Sequence, residues 1–537
     1  MSFWARKRRT KTRAALLAGS CLALALVALA EGSVRGAAHP ARPGGASRAD
    51  AVIVRYVGPR GRLPRLARLL TTALSGQGRI AAVTFVLDGR PLASVTSPPY
   101  AVDVNTALLP SGAHTLRTVA VDTLGRSSGS LPVTVSTVAE PRGVLTASPQ
   151  RGLRHALAAL RRGGVTVRLR PGRYEVDGLL LGSGARLVGS GPATVLAAGS
   201  QSTTEPVLSL HGRNISVADL AIDASGQTGE RPITVAVPDG SADVRLQRVR
   251  ITGVHGDAVN VWGRHSDVSV QDSVIDGAGS GHAGVFALES AASRRTSVIR
   301  TRISGFRSFG IIFAQKDYGL PDAGLHALAL RNEISDIRDP ARAVCLSQPL
   351  ESGCGTNEIG IESGTVGAAI IGNTVSRTGW DGIETVGSST GTSVVGNTIS
   401  ETPTGIYVEH ATNRSLIARN AISDVETGIN VEWRYSGIGS ARNVFASNSI
   451  ADAARHGLFV GVGADRNAIV HNLFSRGGRP AIVLQGSSGN TVSANRGCGM
   501  SGALVDEQPG RSDGGGLDTP AHNRLIANVD DGGCGAR

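Results

Sequence analysis

Asparagine punctuates the chain at 370–376 (IIGNTVS), 394–400 (VVGNTIS), 417–423 (IARNAIS), 445–451 (FASNSIA), 469–475 (IVHNLFS) and 492–498 (VSANRGC). The steps from Asn373 through Asn397, Asn420, Asn448, Asn472 and Asn495 are 24, 23, 28, 24 and 23 residues, and Asn332 opens the series. Midway between neighbours falls a glycine followed by an apolar residue: Gly382-Ile383, Gly405-Ile406, Gly428-Ile429 and Gly457-Leu458. A fixed period of about 20–30 residues built from short alternating strands predicts a β-solenoid. Each strand is too short to bury its own apolar face, so successive coils must stack into one core. One Asn per coil at the same corner satisfies its own turn and its neighbours above and below, so these residues are expected to hold the fold.

Outward from the repeat, composition agrees with an all-β chain. Of 537 residues, 71 are Gly and only 4% are aromatic, and Val, Ile and Thr come in short runs; these favour tight turns and strands over helices. The formal charge of +13 is concentrated at one end, since residues 1–140 hold 18 Lys and Arg against 6 Asp and Glu. The solenoid is close to neutral, and nucleic-acid binding is excluded as a reading of the charge. Arg6, Lys7, Arg8, Arg9, Lys11 and Arg13 precede an apolar run from Ala14 to Ala30 ending Ala28-Leu29-Ala30. This predicts a signal peptide over 1–30, and hence a secreted or envelope-associated monomer that meets the membrane only through that segment if it stays uncleaved. Export suits the even number of cysteines beyond it, Cys345, Cys354, Cys498 and Cys534. Cys345–Cys354 and Cys498–Cys534 are the expected disulfides, and no C-x₂-C spacing supports zinc.

Residues 31–71 are rich in Ala, Gly, Pro and Arg, with eight Arg against Glu31 and Asp50. A flexible basic linker is placed at 31–50 and a small β-module at 51–137, whose strands become legible from about Arg79. The wording there, V-x-F-x-x-DG at 83–89, Pro99-Tyr100, and G-x-HTL followed by A-V-D-x-x-G at 112–125, resembles bacterial immunoglobulin-like modules. That resemblance implies a β-sandwich acting as spacer or envelope binder, with His114 and Asp122 structural. Next, RGLRHALAALRR at 151–162 puts Leu153, Ala156, Leu157 and Leu160 on one helical face and stops at Gly163-Gly164. Helix, VTVRLRPGRY at 165–174 and LLLGSGARLVGSG at 179–191 together resemble the N-terminal cap of pectate-lyase-like proteins. The resemblance implies a right-handed parallel β-helix over 141–537, with the helix covering the open end of its core.

Candidate chemistry follows from aligning coils on the Gly-apolar mark. Ile361, Ile383, Ile406 and Ile429 must point inward, so Glu362, Glu384, Tyr407, Glu409 and Glu432 share an outward face. Trp380, Asp381, His410, Trp433, Arg434 and Tyr435 lie at its edges. Aromatic faces beside carboxylates are what a sugar-binding groove needs. Glu409 and Glu432 on adjacent coils, about 4.8 Å apart, would raise one pKa or share a cation, for which calcium is the candidate. Glu384 and Glu409, with Cα atoms roughly 8 Å apart, would suit acid and base in inverting glycoside hydrolysis. Lys316 is the sole lysine beyond the signal segment, and with Tyr318 it is a candidate base for uronate C5 proton removal, with Arg434 or a cation neutralising the carboxylate. DYGLPDAGLH at 317–326 distantly resembles the YG-x-DPHD region of alginate epimerases, with Leu320 and Asp322 departing from it. The expected function is binding, and with the right residues lysis, epimerisation or hydrolysis, of extracellular polysaccharide. The alternative is a non-catalytic envelope or adhesion protein that uses the solenoid as a rigid display surface. His255 and Asp257 could bind calcium or sugar, and a satisfied turn is the better reading of them.

Overall fold

The computed structural model describes residues 52–530 apart from 64–65, 77–78, 107–111, 137–143, 200–204, 230, 290–292, 316–325, 340–356, 388, 410, 433–438, 479, 500–502 and 512–516. Its body is a parallel β-solenoid in which one continuous 35-stranded sheet winds through successive coils. One inward column shows the logic: Val167, Leu187, Val217, Leu246, Val270 and Val298 pair rung upon rung. Ala329, Ile370, Val394, Ile417, Phe445, Ile469 and Val492 continue it. These side chains are buried in a single core that no coil could form alone.

The asparagine ladder is present as expected. Asn332, Asn373, Asn397, Asn420, Asn448, Asn472 and Asn495 each donate a side-chain N–H to the Oδ1 of the next, ending on Asn528. A second ladder runs at another corner through Asn443, Asn467, Asn490 and Asn523, each Oδ1 accepting the backbone N–H of the rung before. The non-glycine residue just before a rung is held at positive φ: Arg331, Arg419, Ser447, His471, Ala494 and Ala527 in the first ladder, Arg442, Arg466 and His522 in the second. Where the left-handed residue is glycine (Gly372 and Gly396) the chain avoids that strain.

Helix α1 (Leu153–Arg162) buries Ala156, Ala159 and Leu160 against the first coil, and Gly163 at φ 82° ends it by donating to the carbonyls of Ala159 and Leu160. The amphipathic face therefore closes the N-terminal end of the core, as the spacing predicts.

Ahead of the solenoid stand two small sheets. One joins Val52–Tyr56, Leu66–Ser75 and Tyr100–Asn105. The other is built on Ile80–Leu87, Arg90–Val95, Ala113–Asp122 and Val133–Ser136. They share an apolar core around Tyr56, Leu69, Phe85 and Leu116. The first two strands lie inside the arginine-rich stretch whose irregular composition hides them. Alternation along Leu66–Ser75 serves two partners: Leu69 and Ala73 enter the core between the sheets, while Leu70 and Leu74 pack on the solenoid against Leu330, Ala369, Ala418 and Ala446. The Arg55 guanidinium bonds the Gly391 carbonyl, which ties the sheets to a distant coil. His114 bonds Asp88 at 2.7 Å and Asp122 accepts from Ser75 at 2.9 Å, both within turns of these sheets.

Candidate functional site

The register puts the outward residues where coil alignment places them. Glu362 lies opposite Glu384, Glu384 opposite Tyr407, Tyr407 opposite Asn430, and Asn430 opposite Phe459. Glu409 lies opposite Glu432, the last residue of strand Ala421–Glu432. The expectation that this face is solvent-exposed needs correction. Glu362, Glu384 and Glu409 are only 3%, 7% and 8% exposed, and Tyr407 is buried beside them. The Tyr407 hydroxyl donates to Glu409 Oε1 at 3.2 Å. Burial drives the Glu384 carboxyl well above the usual carboxylate range, with Glu362, Asp381 and Glu409 adding to the shift, and it hydrogen-bonds Glu409 directly. Burial, then the charge of Glu409, pushes Glu362 up to about 8. Two carboxyls joined by one proton leave no space for the water or glycosidic oxygen that inverting hydrolysis places between them at about 6.5–9.5 Å. The roughly 8 Å Cα spacing takes no account of the side chains turning toward each other. Glu384 and Glu409 therefore do not have the geometry of a hydrolase pair.

Beside this buried cluster opens a groove of about 1320 Å³. Trp380, Asp381 and Tyr407 line it, together with Phe459, His456, Glu358, Glu401, Asp424 and Glu426. It crosses seven rungs marked by Ile361, Ile383, Ile406, Ile429, Leu458, Ile482 and Val505, a run of about 29 Å at the spacing of paired strands. Trp380 is 40% exposed, which is unusual in a chain with four tryptophans. His456 stacks on Phe459 with ring centroids 5.8 Å apart and planes at 26°. Among the expected residues, Trp380, Asp381 and Tyr407 thus come together in the groove. Lys316, Tyr318, His410, Trp433, Arg434 and Tyr435 lie outside the described residues, as does the Glu432 side chain.

Several lining residues do not stand out in the sequence. Glu401, Asp424 and Asp452 each stand four residues after a ladder Asn (Asn397, Asn420, Asn448), a spacing as regular as the ladder itself, and each adopts positive φ. His456 lies one residue before Gly457 and takes the Asp381 column of strand pairing, through Thr404 and Thr427. That column reads Asp, Thr, Thr, His, so spacing alone does not single out its last member.

Nearer the helix cap, Asp257 is a satisfied group. It accepts from Arg231 at 3.3 Å, Asn260 at 2.6 Å and His282 Nδ1 at 2.8 Å. Arg231 in turn rests 5.0 Å from the Phe286 ring. The turn explanation suffices there, and His255 contacts Ser280 at 3.3 Å. Cys498 is disulfide-bonded, while Cys345, Cys354 and Cys534 lie outside the described residues.

Comparison with known proteins adds a family match over part of the chain. Residues 342–502 match the model of the periplasmic copper-binding protein (NosD) family. Among the described residues no group of three or more His, Cys, Asp or Glu could hold a metal ion. The groove offers carboxylates and one histidine, whereas the chain's two methionines are Met1 and Met500. This is not a soft donor set of the kind copper(I) selects, so the groove residues do not fit that ion. No curated protein matches the chain. Among solved structures it is similar to a Yersinia enterocolitica family 28 exopolygalacturonase, at 10% identity over 90% of this chain and 99% of the other, with a TM-score of 0.41. It is similar to the A-module of the Azotobacter vinelandii mannuronan C-5 epimerase AlgE6, at 14% identity over 72% and 95%, TM-score 0.38. It is also similar to PfbA, a surface adhesin of Streptococcus pneumoniae, at 12% identity over 71% and 87%, TM-score 0.35. At these scores none of the three bears on the site.

Proposed function

We propose that this chain is an extracytoplasmic polysaccharide-binding protein whose groove receives one glycan chain laid across successive coils. The observation that carries the reading is Trp380, an exposed indole at the edge of an elongated groove also lined by Tyr407 and Phe459 and by carboxylates. Sugars present C–H faces to aromatic rings and hydroxyls to polar side chains, so both halves of the lining have work to do. The extracytoplasmic setting rests on the basic and apolar segment over 1–30, the disulfide at Cys498, and the periplasmic description of the family matched over 342–502. The N-terminal sheets fit an immunoglobulin-like module, and the solenoid a right-handed one of the pectate-lyase-like kind. If the bound chain is also cut or epimerised, the base falls to Lys316 or Tyr318 and the carboxylate neutraliser to Arg434 or a cation, because Glu384 and Glu409 are occupied with each other.

Calorimetric titration of the full chain with a panel of acidic, neutral and amino-sugar oligosaccharides tests the reading. Binding to at least one member is expected, and Trp380→Ala should weaken it about tenfold, as losing one stacked aromatic at roughly 1 kcal/mol or more implies. Failure of every member to bind, or affinity indifferent to Trp380→Ala, would overturn it.

A further inference from the structure

We infer that the groove selects a cationic glycan, a polymer bearing free amino sugars, over polyuronates and N-acetylated chains; this rests on the glycan-binding reading above. Among the described residues seven carboxylates and two arginines line the groove; Asp339 and Asp452 are paired with Arg307 and Arg476, and the other five still outnumber the two lining arginines, a field that repels a polyanion and concentrates a polycation. One of the two, Arg338, is turned to the carbonyl of Arg377.

The corner column shows where that charge is left open. At other corners of the solenoid several carboxylates are paired with an arginine of the adjoining coil. Asp219 pairs with Arg248, Asp267 with Arg295 and Asp272 with Arg300, each through two hydrogen bonds. The groove column begins and ends the same way, with Asp336 on Arg377 and Asp452 on Arg476. Between them Glu401 and Asp424 occupy one position on adjacent rungs, flanked by the pairs Ser400–Ser423 and Thr402–Val425. Their backbones are thus about 4.8 Å apart. Arg377 and Arg476 reach them only through the electrostatic field, their hydrogen bonds being given to Asp336 and Asp452. Like charges stacked at this spacing repel, and a chain that neutralises the same corner elsewhere leaves this pair open inside its groove. An ammonium group lying between the two carboxylates supplies the missing arginine.

Two further groups in the groove lack partners. Thr378, a residue of the groove wall, is 1% exposed, and its Oγ1 has no hydrogen bond among the described residues. A buried hydroxyl left unpaired costs free energy that a ligand donor or acceptor recovers. His456 is bonded to the Pro480 carbonyl by one ring nitrogen, and its Nδ1 has no partner. The lining carboxylates form an acceptor surface, which suits a ligand rich in N–H donors.

The test titrates the full chain with three oligomers of equal length, made of glucosamine, N-acetylglucosamine and galacturonate, at pH 5.5 and at two salt concentrations. The glucosamine oligomer should bind at least tenfold tighter than the N-acetylated one, with galacturonate weakest, and its affinity should fall as salt rises. In the double variant Glu401→Gln/Asp424→Asn that affinity should drop at least tenfold and lose most of its salt dependence. Both positions are exposed, and an unchanged melting midpoint would show the variant folded. Equal or tighter binding of the galacturonate or N-acetylated oligomer overturns the cationic preference while leaving a glycan groove in place. An undiminished glucosamine affinity in the double variant also overturns it. Binding of none of the three overturns the cationic preference, and failure of the wider panel as well overturns the glycan-binding reading.

Discussion

Asn420 makes four side-chain hydrogen bonds. Its Oδ1 accepts from the backbone and side-chain N–H of Asn397, and its Nδ2 donates to the Val394 carbonyl and to Asn448 Oδ1. Asn420→Ala would strand a buried donor on one rung and a carbonyl on another, and should lower stability by about 2–4 kcal/mol. Chemical denaturation read by circular dichroism checks this against Glu426→Gln, an exposed substitution expected to change stability by less than about 0.5 kcal/mol. Glu362 makes a pH prediction. Its folded pKa of about 8 lies above the ordinary carboxylate value, so the folded chain holds more protons than the unfolded one between those limits. Stability from this group is therefore fully present below about pH 4.5 and lost as pH rises toward 8. Glu362→Gln should raise the melting midpoint at pH 8, and an equal or lower midpoint there would contradict the shift. The ladder itself is readable because identical residues recur at one spacing. The buried carboxyl cluster is not, because alternation tells which side of a strand a residue takes and nothing about what covers it.

At the scale of the element, α1 shows how a local pattern can foretell a tertiary role. Leucine and alanine at helical spacing ahead of a β-repeat have only the open end of the core to cover. Leu160 is fully buried there, so Leu160→Ala should cost about 3 kcal/mol by denaturation. Ala156→Asp should go further, exposing unpaired strand edges and producing soluble oligomers detectable by light scattering. Strand positions in the solenoid are legible from the glycine marks, and the pairing of Ile383 with Ile406 and Ile429 follows them. By contrast Val52–Tyr56 and Leu66–Ser75 are obscured. Arg55 and Arg68 interrupt their alternation, the segment between them is rich in glycine, proline and arginine, and Leu66–Ser75 sends apolar residues to both faces because each meets a different partner. Strict alternation marks a strand with one wet face, which this one lacks.

For the whole molecule, the N-terminal sheets and the solenoid form one packed body joined by Val57, Leu70, Ile299, Leu328, Leu330 and Ile371. Nothing in the sequence of either part marks a face as waiting for the other. Leu70→Asp would bury a carboxylate in that interface without touching either core. Scanning calorimetry should then resolve two transitions where the parent chain shows one, the earlier falling by several degrees. A single transition at the parent temperature would mean the interface contributes little to cohesion.

The bond between Arg55 and the Gly391 carbonyl spans 336 residues, whereas each coil pairs with a neighbour some two dozen residues away. Ribosomes add about 5–20 residues per second, so the sheets that carry Arg55 and Leu70 emerge roughly 20–70 s before their docking coils have been made. During that interval the apolar face of strand Leu66–Ser75 has nothing of its own chain to cover it. The coils can stack in order of appearance, each on the one before, but the first part synthesised must be among the last to settle. Nascent chains halted before residue 371 should accordingly recruit holdase chaperones through that strand, and Leu70→Ser should reduce the capture.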